Sequence, residues 1–298
     1  MSRGQHLINR DDVLSGEGSA GDILFERRRL GAEAGAAKIG LSLYVVPAGK
    51  RQMPVHVHGD EEEIFYVLGG AGLSWQRDTA CEVGPGDVVV HAPQRDPHTF
   101  LAGDVGLELL AFGSGSDSEI TYLPRARVMW CGPRWVPVDA PHPFTAEAKA
   151  GPLPRPTPTE RPPNVVQGQT VVPVKRGSGQ VRELGRAAGS AVAGLNHVTL
   201  GRGAAGAPAH CHALEEELFY VLEGTGTLLL GDQEHPLRAG DVIARPPSTG
   251  VAHSITAGEA GLTYLVYGTR VPGDSVYYPQ MGKVRLRGLG VTLDVPHS

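Results

Sequence analysis

"PAHCHALEEELFYVLEG", residues 208–224, sets two histidines one residue apart, follows them with three glutamates and enters an apolar run that closes on glycine. "PVHVHGDEEEIFYVLGG", residues 54–70, repeats the arrangement half a chain earlier. Successive side chains of a strand point to opposite faces, so His56 and His58 look the same way, as do His210 and His212, while Val57 and Cys211 face away. Strand rise sets each pair of imidazoles ~7 Å apart at Cα, close enough to converge on one ion. After a short turn, Glu63 or Glu217 can rejoin the same interior. Phe65 and Val67, or Phe219 and Val221, then continue inward, with Tyr66 and Tyr220 on the other face. A fourth candidate follows in each half, His98 in "GDVVVHAPQRDPHTF" and His253 in "GDVIARPPSTGVAHSI". Three imidazoles and one carboxylate suit a first-row transition metal better than calcium or magnesium, which prefer all-oxygen shells.

The duplication runs through the chain. An offset of 154 pairs Gly40 with Gly194, Gly49 with Gly203 and Gly86-Asp87 with Gly240-Asp241; an offset of 155 then carries Gly113 to Gly268 and Pro124 to Pro279. A period this long marks a duplicated domain rather than a solenoid repeat. Between the copies, "GPLPRPTPTERPPN" is too rich in proline for a helix or a central strand. The expected division is a domain over 1–150, a Pro-rich linker over 151–164 and a second domain over 165–298. Each copy consists of short apolar or alternating runs punctuated by glycine and proline, which indicates an all-β sandwich or barrel.

Composition narrows the partners. A formal charge of −5, with no long block of either sign, gives no electrostatic footprint for nucleic acid. The basic patch "ERRRL" at 26–30 reads as a strand end or interface edge. No run of eighteen apolar residues and no apolar leader are present, so no membrane partner and a cytoplasmic location are expected. Cys81, Cys131 and Cys211 form no C-x-x-C pair and read as small hydrophobes.

The ligand residues also carry a resemblance. Gly49, His56, His58, Glu63, Gly70 and again Gly203, His210, His212, Glu217, Gly224 resemble the first motif of the cupin superfamily, G-x5-H-x-H-x3,4-E-x6-G, with one extra residue after the first glycine in both copies. Gly86 to His98 and Gly240 to His253 resemble its second motif, although the first copy reads "APQRDPH" and lacks the glycine of P-x-G. The resemblance spans nearly the whole chain. It implies two tandem jelly-roll β-barrel domains, a bicupin, with His56, His58, Glu63 and His98 as one metal set and His210, His212, Glu217 and His253 as the other. It further implies a metal-dependent enzyme acting on a small organic molecule. The first choice is a non-haem Fe(II) dioxygenase cleaving an enol- or phenol-type substrate, with Mn, Ni, Cu or Zn as alternative metals. A non-redox isomerase, hydrolase or decarboxylase and a non-catalytic ligand-binding bicupin are the alternatives.

Outside the ligands, Phe65, Phe100 and Phe219 are expected in the barrel walls. The remaining acids of the two glutamate triplets are read as solvated turn residues. The second copy has Asn196, His197, Thr199 and Arg245 where the first has Ser42, Leu43, Val45 and His91, so it offers more groups to orient a substrate. His197 as an acid or base and Arg245 as an anion partner are its catalytic candidates. A homodimer is expected, since open sheet edges call for cover.

Overall fold

The computed structural model describes residues 6–116, 119–131 and 142–295, and the backbone of 134–136. Two eight-stranded antiparallel sheets dominate it. The first runs in the order Val165–Gln167, Asp87–His91, Glu63–Gln76, His98–Gly113, Gly40–Val46, Ile23–Arg28, Gly16–Ala20, with Thr79–Val83 also paired to Glu63–Gln76. The second repeats the scheme with Leu7–Asn9, Asp241–Arg245, Glu217–Leu230, His253–Thr269, Ala193–Leu200, Gly179–Arg182 and Val174–Arg176, with Gln233–Arg238 beside Glu217–Leu230. A four-stranded sheet accompanies each, one containing Val57–His58 and the other Cys211–His212.

The expected division at the linker did not contain one feature of this topology. Leu7–Asn9 pairs with Asp241–Arg245 of the second sheet, and Val165–Gln167 pairs with Asp87–His91 of the first. Leu7 faces Ile243 and Val165 faces Val89, and Val89 and Ile243 are equivalent under the 154 offset. The halves therefore exchange an outermost strand reciprocally, and the edges of Asp87–His91 and Asp241–Arg245 are covered within one chain.

Strand parity sorts most of the buried apolar residues into three bodies, with a smaller cluster of Val55, Trp75, Ala80, Leu101 and Leu153 beside them. Phe65, Val67, Phe100 and Leu109 fill the first barrel, and Phe219, Val221, Ile255 and Tyr264 line the second. The alternate positions form a third core between the barrels, including Leu41, Ile64, Tyr66 and Phe112 with Leu195, Leu218, Tyr220 and Tyr267. Each residue of the first list has its offset equivalent in the second, so the interface is self-complementary, like that of a two-fold dimer. Phe112 and its equivalent Tyr267 meet there with ring centroids 5.1 Å apart.

The glycine that closes each motif is a backbone requirement. The long strands shift register on either side of Gly70 and Gly224. These residues have φ of +78° and +86°, and a Cβ would stand 2.2 Å from the Gly106 or Gly261 carbonyl oxygen. Only glycine permits the bend that carries the strand around the barrel. No helix among the described residues is long and apolar enough to cross a membrane.

Candidate metal centre

In the first barrel His56, His58 and His98 converge on one carboxylate oxygen. Their Nε2 atoms lie 3.4, 3.2 and 3.0 Å from Glu63 Oε2. In the second, the Nε2 atoms of His210, His212 and His253 lie 3.7, 3.5 and 3.1 Å from Glu217 Oε2. Two-residue spacing on a strand supplies the first two histidines. The isolated bridges His56↔His98 and His210↔His253 bring in the third. All eight residues singled out from the sequence are thus brought together, four and four.

The far side of five of the six rings fixes which nitrogen is free; His253 Nδ1 is buried without a partner. His56 Nδ1 donates to the Pro54 carbonyl at 2.8 Å, and His210 Nδ1 to that of Pro208 at 2.8 Å. His98 Nδ1 donates to the Asp96 carbonyl at 3.1 Å. His58 Nδ1 faces Glu119 Oε1 at 3.1 Å, and His212 Nδ1 faces Asp274 Oδ2 at 2.7 Å. A proton held at Nδ1 leaves the Nε2 lone pair for a cation and locks the ring orientation.

Glu119 and Asp274 were not recognised from the sequence. Each also binds the turn that leads to the glutamate ligand: Glu119 accepts from the backbone of Gly59, Asp60 and Glu61, and Asp274 from Leu214 and Glu215. The 155 offset maps one onto the other. That offset, carried past Gly113 in search of an acid at matching positions, is the signal that would have found them.

The electrostatics favour a cation. Burial would push the Glu63 carboxyl up, but the His58 charge and the three ring nitrogens hold it well below the usual range. Glu217 is likewise drawn down to about 2, its burial outweighed by His253, His212 and His210. Burial and the neighbouring His56 push His98 down to about 4, so its ring is neutral and able to ligate. Glu119, despite its own partial burial, is lowered to about 2 by His58 and the turn amides. Buried His58 Nε2, His253 Nε2 and Glu217 Oε2 have no hydrogen-bond partner. Orphaned buried polar atoms are costly; a cation in the first barrel would satisfy His58 Nε2 and one in the second would satisfy His253 Nε2 and Glu217 Oε2, and each donor set fits a transition metal.

The interiors of the two barrels differ. A cavity of about 650 Å³ opens onto His210, His212, Glu217 and His253. At matching positions the first barrel is filled. Phe25 stands where the second has Gly179, Tyr44 where it has Val198, and Arg27 where it has Val181. Phe25 packs edge-on against Tyr44 at 5.4 Å and Phe144 at 6.1 Å, and the Arg27 guanidinium lies 5.3 Å from the Tyr44 ring centroid.

Neither catalytic candidate reaches the cavity. His197 alternates with the lining residues Asn196 and Val198 and shares the parity of Leu195, which belongs to the core between the barrels. Burial, then the neighbouring Arg182 charge, lowers its pKa. Arg245 is buried across from Glu217, and its Nη2 donates to the Val251 carbonyl at 2.7 Å and Thr249 Oγ1 at 3.3 Å, so it pins the loop before His253. The equivalent His91 stacks on His98 with centroids 3.6 Å apart, supporting that ligand from behind.

The glutamate triplets also correct a sequence reading. Glu62 and Glu216 are 1% exposed, not solvated. Glu216 accepts from the backbone of Ala37, Lys38 and Ile39 at 2.7–3.1 Å, across the interface. Glu62 reciprocates, accepting from Ser190 Oγ at 2.6 Å and Ala191 N at 3.2 Å. Cys81 and Cys211 are buried, and none of the three cysteines is bridged.

The Cupin domain family model matches residues 42–113 and 196–267. An uncharacterized protein of Methanocaldococcus jannaschii is 34% identical over 88 residues, covering 28% of this chain and 69% of the relative. Among solved structures, an oxalate decarboxylase superposes with a TM-score of 0.63 at 17% identity, over 92% of this chain and 79% of its own. The Bacillus subtilis oxalate decarboxylase studied for its Mn(II) centres superposes with a TM-score of 0.61 at 14% identity, again over 92% and 79%. At such identities the likeness establishes the fold.

Proposed function

This chain belongs to the cupin superfamily as a two-domain member, and from that premise we propose that it is a metal-dependent enzyme whose reaction chamber is the cavity of the second barrel. The observation that carries this reading is the conjunction, in one barrel, of a complete three-histidine, one-glutamate set with a cavity of about 650 Å³, within the range of small-molecule sites. His210, His212, Glu217 and His253 would hold the ion there. His56, His58, Glu63 and His98 would hold a second ion with a structural role, since aromatic side chains fill the space beside it.

The ion, Fe(II) as first choice or Mn(II), would supply Lewis acidity and, if iron, a binding position for dioxygen in cleavage of an enol- or phenol-type substrate. The protein's part follows from its side chains. Asp274 and Pro208 hold the imidazoles of His212 and His210 in the ligating tautomer. Phe219, Val198, Ile255 and Val266 form an apolar wall that excludes water. Tyr278 stacks on the His210 ring at 5.8 Å. Tyr264 lines the cavity, and burial reinforced by the Glu217 charge pushes its hydroxyl well above its ordinary value. It therefore donates hydrogen bonds at neutral pH and does not act as a base.

Tyr264 also favours the second reading, a non-redox decarboxylation. That reaction leaves a carbanion to be protonated, and the first barrel has Leu109 at the equivalent place. Metal content of anaerobically purified protein, followed by dioxygen uptake with enolisable ketones and phenols and carbon dioxide release from small carboxylic acids, separates the readings. Uptake supports the dioxygenase, and carbon dioxide without uptake supports the decarboxylase. A chain that stays metal-free after reconstitution overturns both.

A further inference from the structure

The mouth of the second cavity is ringed by arginine. Arg176, Arg186, Arg270, Arg285 and Arg287 all line it, and apart from the ligand Glu217 the only carboxylates among the lining residues are Glu183 and Glu215. Five guanidiniums thus oppose two carboxylates, in a chain whose overall charge is −5. Pairing leaves a surplus. Glu183 is shared by Arg176 at 2.5 Å and Arg186 at 3.5 Å, and Glu215 is taken by Arg287. Arg270 spends Nη1 on the Ser190 carbonyl at 3.1 Å and meets no carboxylate among the described residues. Arg285 is exposed and likewise has no carboxylate partner among them. The rim is also particular to this barrel. At the matching positions of the first copy stand Asp22, Ala32, Gly115, Trp130 and Gly132.

An excess of guanidinium around a concave opening attracts anions and binds pairs of carboxylate or phosphate oxygens in bidentate fashion. The geometry points to a substrate that carries a carboxylate or phosphate group, held at the mouth by Arg270 and Arg285, with its reactive end reaching inward past Asn196 and Tyr264 to the metal set. The volume of about 650 Å³ is more than the reacting end alone needs, which gives the anionic group its separate place. Arg245 has no part in this recognition, because it does not line the cavity. The inference deepens the reading of the second cavity as the reaction chamber and rests on it.

The test uses full-length, metal-loaded protein and titrates succinate and inorganic phosphate separately by calorimetry, with glycerol as the neutral control. Metal content is measured on the same samples. One anion should bind and glycerol should not. Which anion binds distinguishes carboxylate from phosphate recognition. Affinity should fall about tenfold or more in Arg285→Ala, and further in Arg285→Glu, while two ions per chain are retained. Arg285 is exposed on a strand, so its replacement spares the core; Arg270→Gln, which keeps a donor for Ser190, provides the second variant. Binding should also weaken in 0.5 M salt relative to 0.05 M. If neither anion binds the metal-loaded protein, or the arginine variants bind as the parent does, the inference fails and the enzyme reading stands. If anions bind with the expected dependence on Arg285 but no metal is held, the anion site stands and the enzyme reading fails.

Discussion

The two barrels share the same three-histidine, one-glutamate set, a carboxylate behind the middle histidine and the same glycine-dependent bend, yet one is narrowed by aromatic side chains and the other opens into a cavity of about 650 Å³. Phe25, Tyr44 and Arg27 occupy the space that Gly179, Val198 and Val181 leave open. Under the proposed function, metal retention and substrate access are therefore separable properties of this fold. The first depends on strand register and turn amides; the second depends on a few inward side chains remote in sequence from the ligands.

The sharpest way to break the comparison is to remove a ligand. His210→Ala should lose the ion of the second barrel and leave the first loaded, and His56→Ala should do the converse, as counted by elemental mass spectrometry. Equal loss from both would mean that the centres are not independent. Hollowing the first barrel comes next. Phe25→Ala should lower stability by about 3–5 kcal/mol, a large-to-small change in a filled core, whereas Val181→Ala in the cavity wall of the second barrel, a smaller change, should cost less; denaturant titration reads both. Asp274→Ala and Glu119→Ala should weaken metal affinity at their own barrel about 10–100-fold through loss of imidazole orientation, measured by chelator competition. Across the interface, Glu62→Ala and Glu216→Ala should each cost about 1–3 kcal/mol by stranding buried donors. A marked difference between the two would show the interface to be less symmetric than its residues.

The smallest effect concerns acid. In the metal-free protein Glu119 is held at about 2 against an ordinary 4.5. A depressed carboxyl contributes stability above its unfolded value and loses it as pH falls toward the folded one. The metal-free Glu119→Gln variant should therefore show a shallower loss of stability between about pH 4.5 and 2 than its parent.

The ligands were legible because strand alternation and motif spacing constrain them locally, and because they occur twice. The duplication and the all-β fold were legible for the same reason. Glu119 and Asp274 escaped notice because they lie beyond the motifs, in stretches that share little else, "SGSDSEI" and "RVPGDS". Glu62 and Glu216 were misread as solvated because strand parity points them at the partner barrel, whose position no local pattern reveals. His197 fails as a cavity residue by the same parity. The exchanged strands are only three residues each, Leu7–Asn9 and Val165–Gln167, and pair with segments on the far side of the linker, so local hydrophobicity could not assign them.

That exchange bears on how the two barrels came to differ. Two separate single-barrel chains trading arms across a two-fold axis would make the same contacts, Leu7 on Ile243 and Val165 on Val89, but one gene would then write both barrels. Every substitution that narrowed one interior would narrow its twin, and every arginine set at one mouth would be set at both. Covalent fusion preserves the embrace while giving each half its own text. The packed barrel and the hollow one are what that freedom allows, an anchor and a chamber spelled separately within one molecule.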